Sequence, residues 1–139
     1  MLADTRTNAG VDNISTFRKL TVIEQPGDRV IGIMTAGNLA LSQAVVNLVT
    51  EQGVAMTEDG PLETLYTVPS MVRAAQLMGR AVRTVFHVDG PALEAQAESF
   101  NVSILLGGQI GNGQLRLFQI YSAGNYIEAT EDTPYLQIG

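Results

Sequence analysis

The chain has no cysteine, no tryptophan and a single histidine, His87. Without cysteine there is no disulfide framework, no thiolate nucleophile and no sulfur-ligated structural zinc site. One imidazole excludes a multi-histidine metal centre, and neither a metal nor a cofactor is expected. Basic residues are few: eight Lys and Arg face fourteen Asp and Glu, for a formal net charge of −6. A surface of that sign does not attract polyanions, so neither nucleic acid nor an anionic membrane is an expected partner. No apolar run approaches the roughly 20 residues needed to cross a bilayer. Met1-Leu2-Ala3-Asp4 lacks the basic and apolar regions of a signal peptide, and a cytoplasmic location is expected.

What is present suits a packed core. Of 139 residues 45% are hydrophobic and 16% charged, enough apolar surface to offset the ordering entropy of one domain. With neither an internal repeat nor a linker, residues 1–139 read as a single domain. Met1–Thr5, a turn at Thr7-Asn8-Ala9-Gly10 and Ile14–Glu24 read as a hairpin. Pro26-Gly27-Asp28 turns into a buried-type strand, Arg29–Thr35, and Asn38 caps a helix over Leu39–Gln52 with Gly53 at its end. Residues 54–68 read as polar and irregular. A second helix is expected from Ser70 to Val88, ended by Asp89-Gly90-Pro91. Strands follow at Asn101–Leu106, Leu115–Tyr121 and Tyr126–Ala129, with turns at Gly107-Gly108, Gly111-Asn112-Gly113 and Ala123-Gly124-Asn125. Strands, two helices, then strands describe an α+β layered domain, its helices on one face of an antiparallel sheet.

Asp4 and Lys19 stand symmetrically about Val11 and Asp12, just beyond the turn signal. Paired strands would set their Cβ atoms about 5 Å apart if directly opposed. A lysine held against a carboxylate tunes a nucleophile by charge and hydrogen bonding. From the spacing alone an ordinary ion pair, worth at most about 1 kcal/mol, is the favoured reading. Ala36-Gly37-Asn38 joins a buried strand to a helix, where backbone N–H groups suit a developing oxyanion, or where glycine serves only a tight turn. Leu106–Gly113 has the glycine density of a phosphate loop but lacks its Lys-Ser/Thr ending, and reads as a hairpin turn. His87 reads as a partner of the second helix's C-terminal dipole, and Glu128, Glu131 and Asp132 as a solvated strand edge.

Leu2-Ala3-Asp4-Thr5-Arg6-Thr7-Asn8-Ala9-Gly10 resembles the stretch of proteasome β-type subunits that reads aspartate, small residue, arginine, then glycine four residues on. Phe17-Arg18-Lys19-Leu20 resembles their lysine-bearing strand, and Thr35-Ala36-Gly37-Asn38 their strand-to-helix glycine. With Leu106-Gly107-Gly108-Gln109-Ile110 and Ala129–Gly139 added, the chain resembles the bacterial proteasome-related Anbu family, the ancestral β-subunit, over nearly all its length.

The resemblance implies a four-layer αββα sandwich of the N-terminal nucleophile hydrolases. It implies a threonine-type peptidase acting on peptide or unfolded protein within a homo-oligomer, a ring or a helical array. Asp4 and Lys19 would flank the nucleophile, and Gly37 would donate its N–H to the oxyanion in the same cleft. The family's nucleophile is an N-terminal threonine hydroxyl with its own α-amino group, of pKa near 8, as base. Here the strand carrying it would precede Met1: Leu2 hinders removal of the initiator, and Thr5 and Thr7 lie too close to Asp4 in the chain. The C-terminal half of the fold would follow Gly139. The expectation is therefore an incomplete domain from a longer family member. The alternative is a structural or assembly subunit of the same fold, without catalysis.

Overall fold

The computed structural model describes residues 20–96 and 100–138. Strand β1, Leu20–Gln25, turns through Pro26-Gly27-Asp28 into β2, Arg29–Gly37, with Gly27 at φ +79° and the Asp28 amide donating to the Gln25 carbonyl at 2.9 Å. Helix α1, Leu39–Asn47, follows and relaxes into a π-helical turn over Leu48–Gln52, closed by Gly53 at φ +86°. The short strands β3, Val54–Ala55, and β4, Leu62–Glu63, precede α2, Met71–Ala95. Strands β5, Val102–Ile110, β6, Arg116–Ile120, and β7, Tyr126–Glu128, complete the order.

The main sheet runs β1-β2-β5-β6-β7, antiparallel at every junction. Its register aligns Ile23 with Ile31, Ile33 with Leu106, and Leu106 with Phe118. These side chains share one face because alternate residues of a strand do. On it lie Leu41, Val45 and Val49 of the first helical segment and Ala74, Ala75, Met78, Ala81 and Val82 of α2, all buried. The alanines let α2 approach the sheet closely; the longer side chains fill the space between. This is the expected α+β layer, two helices on one face of an antiparallel sheet.

The opposite face is also apolar. Register places Leu20, Met34, Leu105, Gln119 and Ile127 in one cross-strand row, and Val22, Gly32, Gly107 and Leu117 in the next. Val22, Val30 and Ile127 there are 56, 45 and 42% exposed.

Three readings from sequence are corrected. Helix α2 does not stop at Asp89-Gly90-Pro91 but runs through Pro91 to Ala95. Proline removes one amide and crowds the carbonyl four residues back. Against that, Ala92-Leu93-Glu94-Ala95 are strong helix formers, and Leu93 packs on the core. Gly107 and Gly108 lie inside β5 rather than in a turn. A Cβ on Gly108 would stand 2.2 Å from the Val30 carbonyl oxygen, so glycine there answers the approach of β2. Residues 54–68 are irregular as expected apart from the two-residue strands β3 and β4, but they are not simply polar: Val54, Leu65 and Val68 are buried. Arg29 secures them, its Nη1 donating to the Leu65 and Val68 carbonyls, each at 2.9 Å, and its Nε to Asp28 Oδ2 at 2.6 Å.

Candidate functional site

The β2–α1 junction is built from a glycine, an asparagine and the start of a distant strand. Gly37 adopts φ +109°, left-handed backbone that favours glycine, and a Cβ there would stand 2.4 Å from the Asn101 carbonyl oxygen. Asn38 is extended and caps α1, its Oδ1 accepting from the Leu41 amide at 3.1 Å. The Asn38 amide donates to the Asn101 carbonyl at 2.9 Å. The peptide after Gly37 is thus fixed on both sides, by the helix it caps and by the strand it crosses. A backbone so held, exposed at Gly37 and set at a helix N-terminus, suits a concentrated negative charge.

Of the three residues expected at the site, Gly37 stands where the sequence puts it, at the strand-to-helix turn. Asp4 and Lys19 lie outside the described residues, as does the hairpin that would bring them together.

Elsewhere several titratable groups are committed to structure. Arg116 forks onto Glu128 at 2.5 and 2.7 Å, joining β6 to β7. These hydrogen bonds hold the Glu128 carboxyl below its ordinary range, burial opposing them only in part. Arg73 grips Glu63 in the same way, at 3.0 and 2.7 Å, and ties α2 to β4; this pairing raises the Arg73 pKa above its usual value. Glu128 is therefore an ion-pair member rather than part of a solvated acidic edge, while Glu131 and Asp132 are exposed. Among the described residues no group of three His, Asp or Glu side chains is arranged to hold a metal ion. Ser42 Oγ is buried and has no hydrogen-bond partner among the described residues, but at 2% exposure no substrate reaches it.

His87 is not at a helix end, because α2 continues eight residues beyond it, to Ala95. It sits beside Phe86, whose ring meets Phe100 edge-on with centroids 5.2 Å apart. With Arg83, Ser122 and Ala123 they line an open recess of about 450 Å³ that sequence reasoning did not find. Its two phenylalanines are 14 residues apart in sequence and share no periodic pattern, so only tertiary structure unites them. The contribution of Asn101 to the Gly37 turn escaped for the same reason, since a backbone carbonyl carries no residue signature.

Among the described residues no helix is long and apolar enough to cross a membrane. No protein-family model matches the chain, and no curated protein matches it. Solved structures do. Anbu (ancestral beta-subunit) from Yersinia bercovieri is 49% identical over 99% of this chain and 54% of its own, with a TM-score of 0.80. Anbu from Hyphomicrobium sp. strain MC1 is 50% identical over 99% and 54%, with a TM-score of 0.75. The helical assembly of the Anbu complex from Pseudomonas aeruginosa supplies a chain 44% identical over 99% and 54%, with a TM-score of 0.82. The present chain spans about half the length of each.

Proposed function

The chain belongs to the Anbu (ancestral beta-subunit) family, spanning about half the length of its solved members, and from that premise we propose that it forms the supporting half of a proteasome-type, threonine-dependent peptidase. The observation that carries the reading is the Gly37 turn. It combines a left-handed glycine, a peptide pinned between Asn38 and Asn101, and a helix N-terminus in one place.

In this reading the nucleophile is the hydroxyl of an N-terminal threonine contributed by polypeptide outside these 139 residues. Its oxygen attacks the scissile carbonyl carbon while its proton passes to the α-amino group, whose pKa near 8 suits neutral pH. The carbonyl oxygen, now anionic, accepts a hydrogen bond from the Gly37 N–H. The leaving amine takes the proton, and water then hydrolyses the ester. Lys19, oriented by Asp4, stabilises the attacking oxygen by its charge. Preorganised donors act strongly here because they need no reorganisation as charge develops; one oxyanion donor is worth about 10²–10³ in rate.

The exposed Val22, Val30 and Ile127 support a second sheet packed on this face, giving the αββα sandwich of the N-terminal nucleophile hydrolases. The Pseudomonas aeruginosa relative, solved as a helical assembly, supports a homo-oligomer here as well; peptide or unfolded protein is the substrate this reading implies. The test is steady-state hydrolysis of fluorogenic peptides by the intact gene product. Turnover is expected, falling at least about 100-fold in Lys19→Ala and in Asp4→Ala with the assembly unchanged. Absence of turnover in the wild-type protein favours the assembly-subunit alternative.

A further inference from the structure

We infer that Ser122 is a positioning residue for the Gly37 turn. The role rests on the proposed peptidase reading for its catalytic meaning, but not for its geometry. In the β5–β6 register Ile104 stands opposite Ile120, so Val102 stands opposite Ser122, two residues beyond the last paired residues of β6. At that step the backbone ladder gives way to a side chain. Ser122 Oγ accepts from the Val102 amide at 3.0 Å and donates to the Val102 carbonyl at 2.8 Å. One hydroxyl thereby supplies the acceptor and the donor that a paired backbone residue would supply.

Ser122 is itself held in place. It lies in the β6–β7 turn, closed by hydrogen bonds from the Tyr121 amide to the Asn125 carbonyl and from the Gly124 amide to the Tyr121 carbonyl. Arg83 of α2 donates from Nε to the Ala123 carbonyl at 3.2 Å.

Val102 is fully buried and pairs on its other side with Gly37. The residue before it, Asn101, presents the carbonyl that receives the Asn38 amide and limits residue 37 to glycine. The chain of contacts runs from the Ser122 hydroxyl to Val102, through the peptide to Asn101, and so to the Gly37–Asn38 peptide. Were the hydroxyl removed, both backbone groups of a fully buried residue would lose a partner, and the end of β5 would gain freedom where the turn leans on it. Freedom at the Gly37–Asn38 peptide shifts the Gly37 backbone and with it that residue's own N–H in the preceding peptide, and a donor misplaced by a fraction of an ångström no longer meets the developing charge.

The experiment is amide hydrogen exchange on the intact gene product, comparing wild type with Ser122→Ala and Ser122→Thr. Ser122→Ala is expected to speed exchange of the Asn38 and Leu41 amides at least about tenfold while the amides of Ala74–Val82 in α2 keep their protection. Ser122→Thr, which retains a hydroxyl, restores the wild-type rates. Unchanged exchange at Asn38, a uniform loosening that includes α2, or a threonine variant as loose as the alanine one overturns the proposal. On peptide substrates Ser122→Ala is expected to lower kcat about tenfold with KM unchanged; a loss confined to KM also overturns it. If the wild-type protein cleaves no peptide yet exchange changes as described, the positioning role stands and the peptidase reading falls.

Discussion

Adding one methyl group at Gly79 sets two effects against each other. Within a helix, replacing glycine with alanine ordinarily adds up to about 1 kcal/mol of stability. Here the new Cβ would stand 2.2 Å from the Gly124 carbonyl oxygen, and backbone cannot step aside cheaply. Overpacking of that kind costs about 1–3 kcal/mol, so the clash wins and Gly79→Ala is expected to lower the urea midpoint of the intact gene product. A raised midpoint would show that α2 and the β6–β7 turn are not in contact. The Arg116–Glu128 pair gives a pH-dependent counterpart. Because the folded carboxyl titrates below its unfolded value, near 4.3, its stabilisation is complete above about pH 5 and fades as pH falls through the folded pKa. Both side chains are about a third exposed, so screening holds the effect to about 0.5 kcal/mol. Glu128→Gln should unfold at slightly lower urea than wild type at pH 7, and the gap should narrow as pH falls below the unfolded value and through the folded pKa. A gap that does not narrow at all on acidification assigns the difference to packing instead of charge.

Among the elements, α1 and α2 show what sequence reveals and what it conceals. Their starts were legible because capping chemistry is local: Asn38 accepts from Leu41 and Ser70 from Arg73, each three residues on. The end of α2 was not, because Pro91 opposes a helix by an intrinsic cost while Leu93 opposes that cost through a tertiary contact. Pro91→Ala is accordingly expected to stabilise the protein by about 1–3 kcal/mol, read as a higher urea midpoint. A lower midpoint would mean that the proline ring itself packs usefully. Strand β5 concealed its length for a related reason, since Gly108 is set by the approach of Val30 across the sheet. The site divides along the same line. Gly37 and its cap were visible as a glycine before an N-cap, whereas Asn101 and Ser122 act through a carbonyl and a register position that no local pattern encodes.

For the whole molecule, the governing fact is a sheet with helices on one face and exposed valine and isoleucine on the other. Burial of apolar surface yields about 25 cal/mol per Å², so a whole sheet face left in water forfeits an amount comparable with a domain's net stability of about 5–15 kcal/mol. Residues 1–139 expressed alone are therefore expected to self-associate, as sedimentation would show. A stable, cooperatively unfolding monomer at micromolar concentration would mean that the fold needs no second layer. On the proposed reading, a larger assembly built on this sheet carries an acyl-transfer site supported by Lys19 and Gly37. Its most direct test is the intact mass of the gene product after incubation with a β-lactone, which acylates an activated hydroxyl by ring opening and leaves the whole lactone mass on the protein. One adduct per chain is expected, on an N-terminal threonine and lost in Lys19→Ala. No adduct, or an adduct elsewhere in the chain that survives Lys19→Ala, would contradict it.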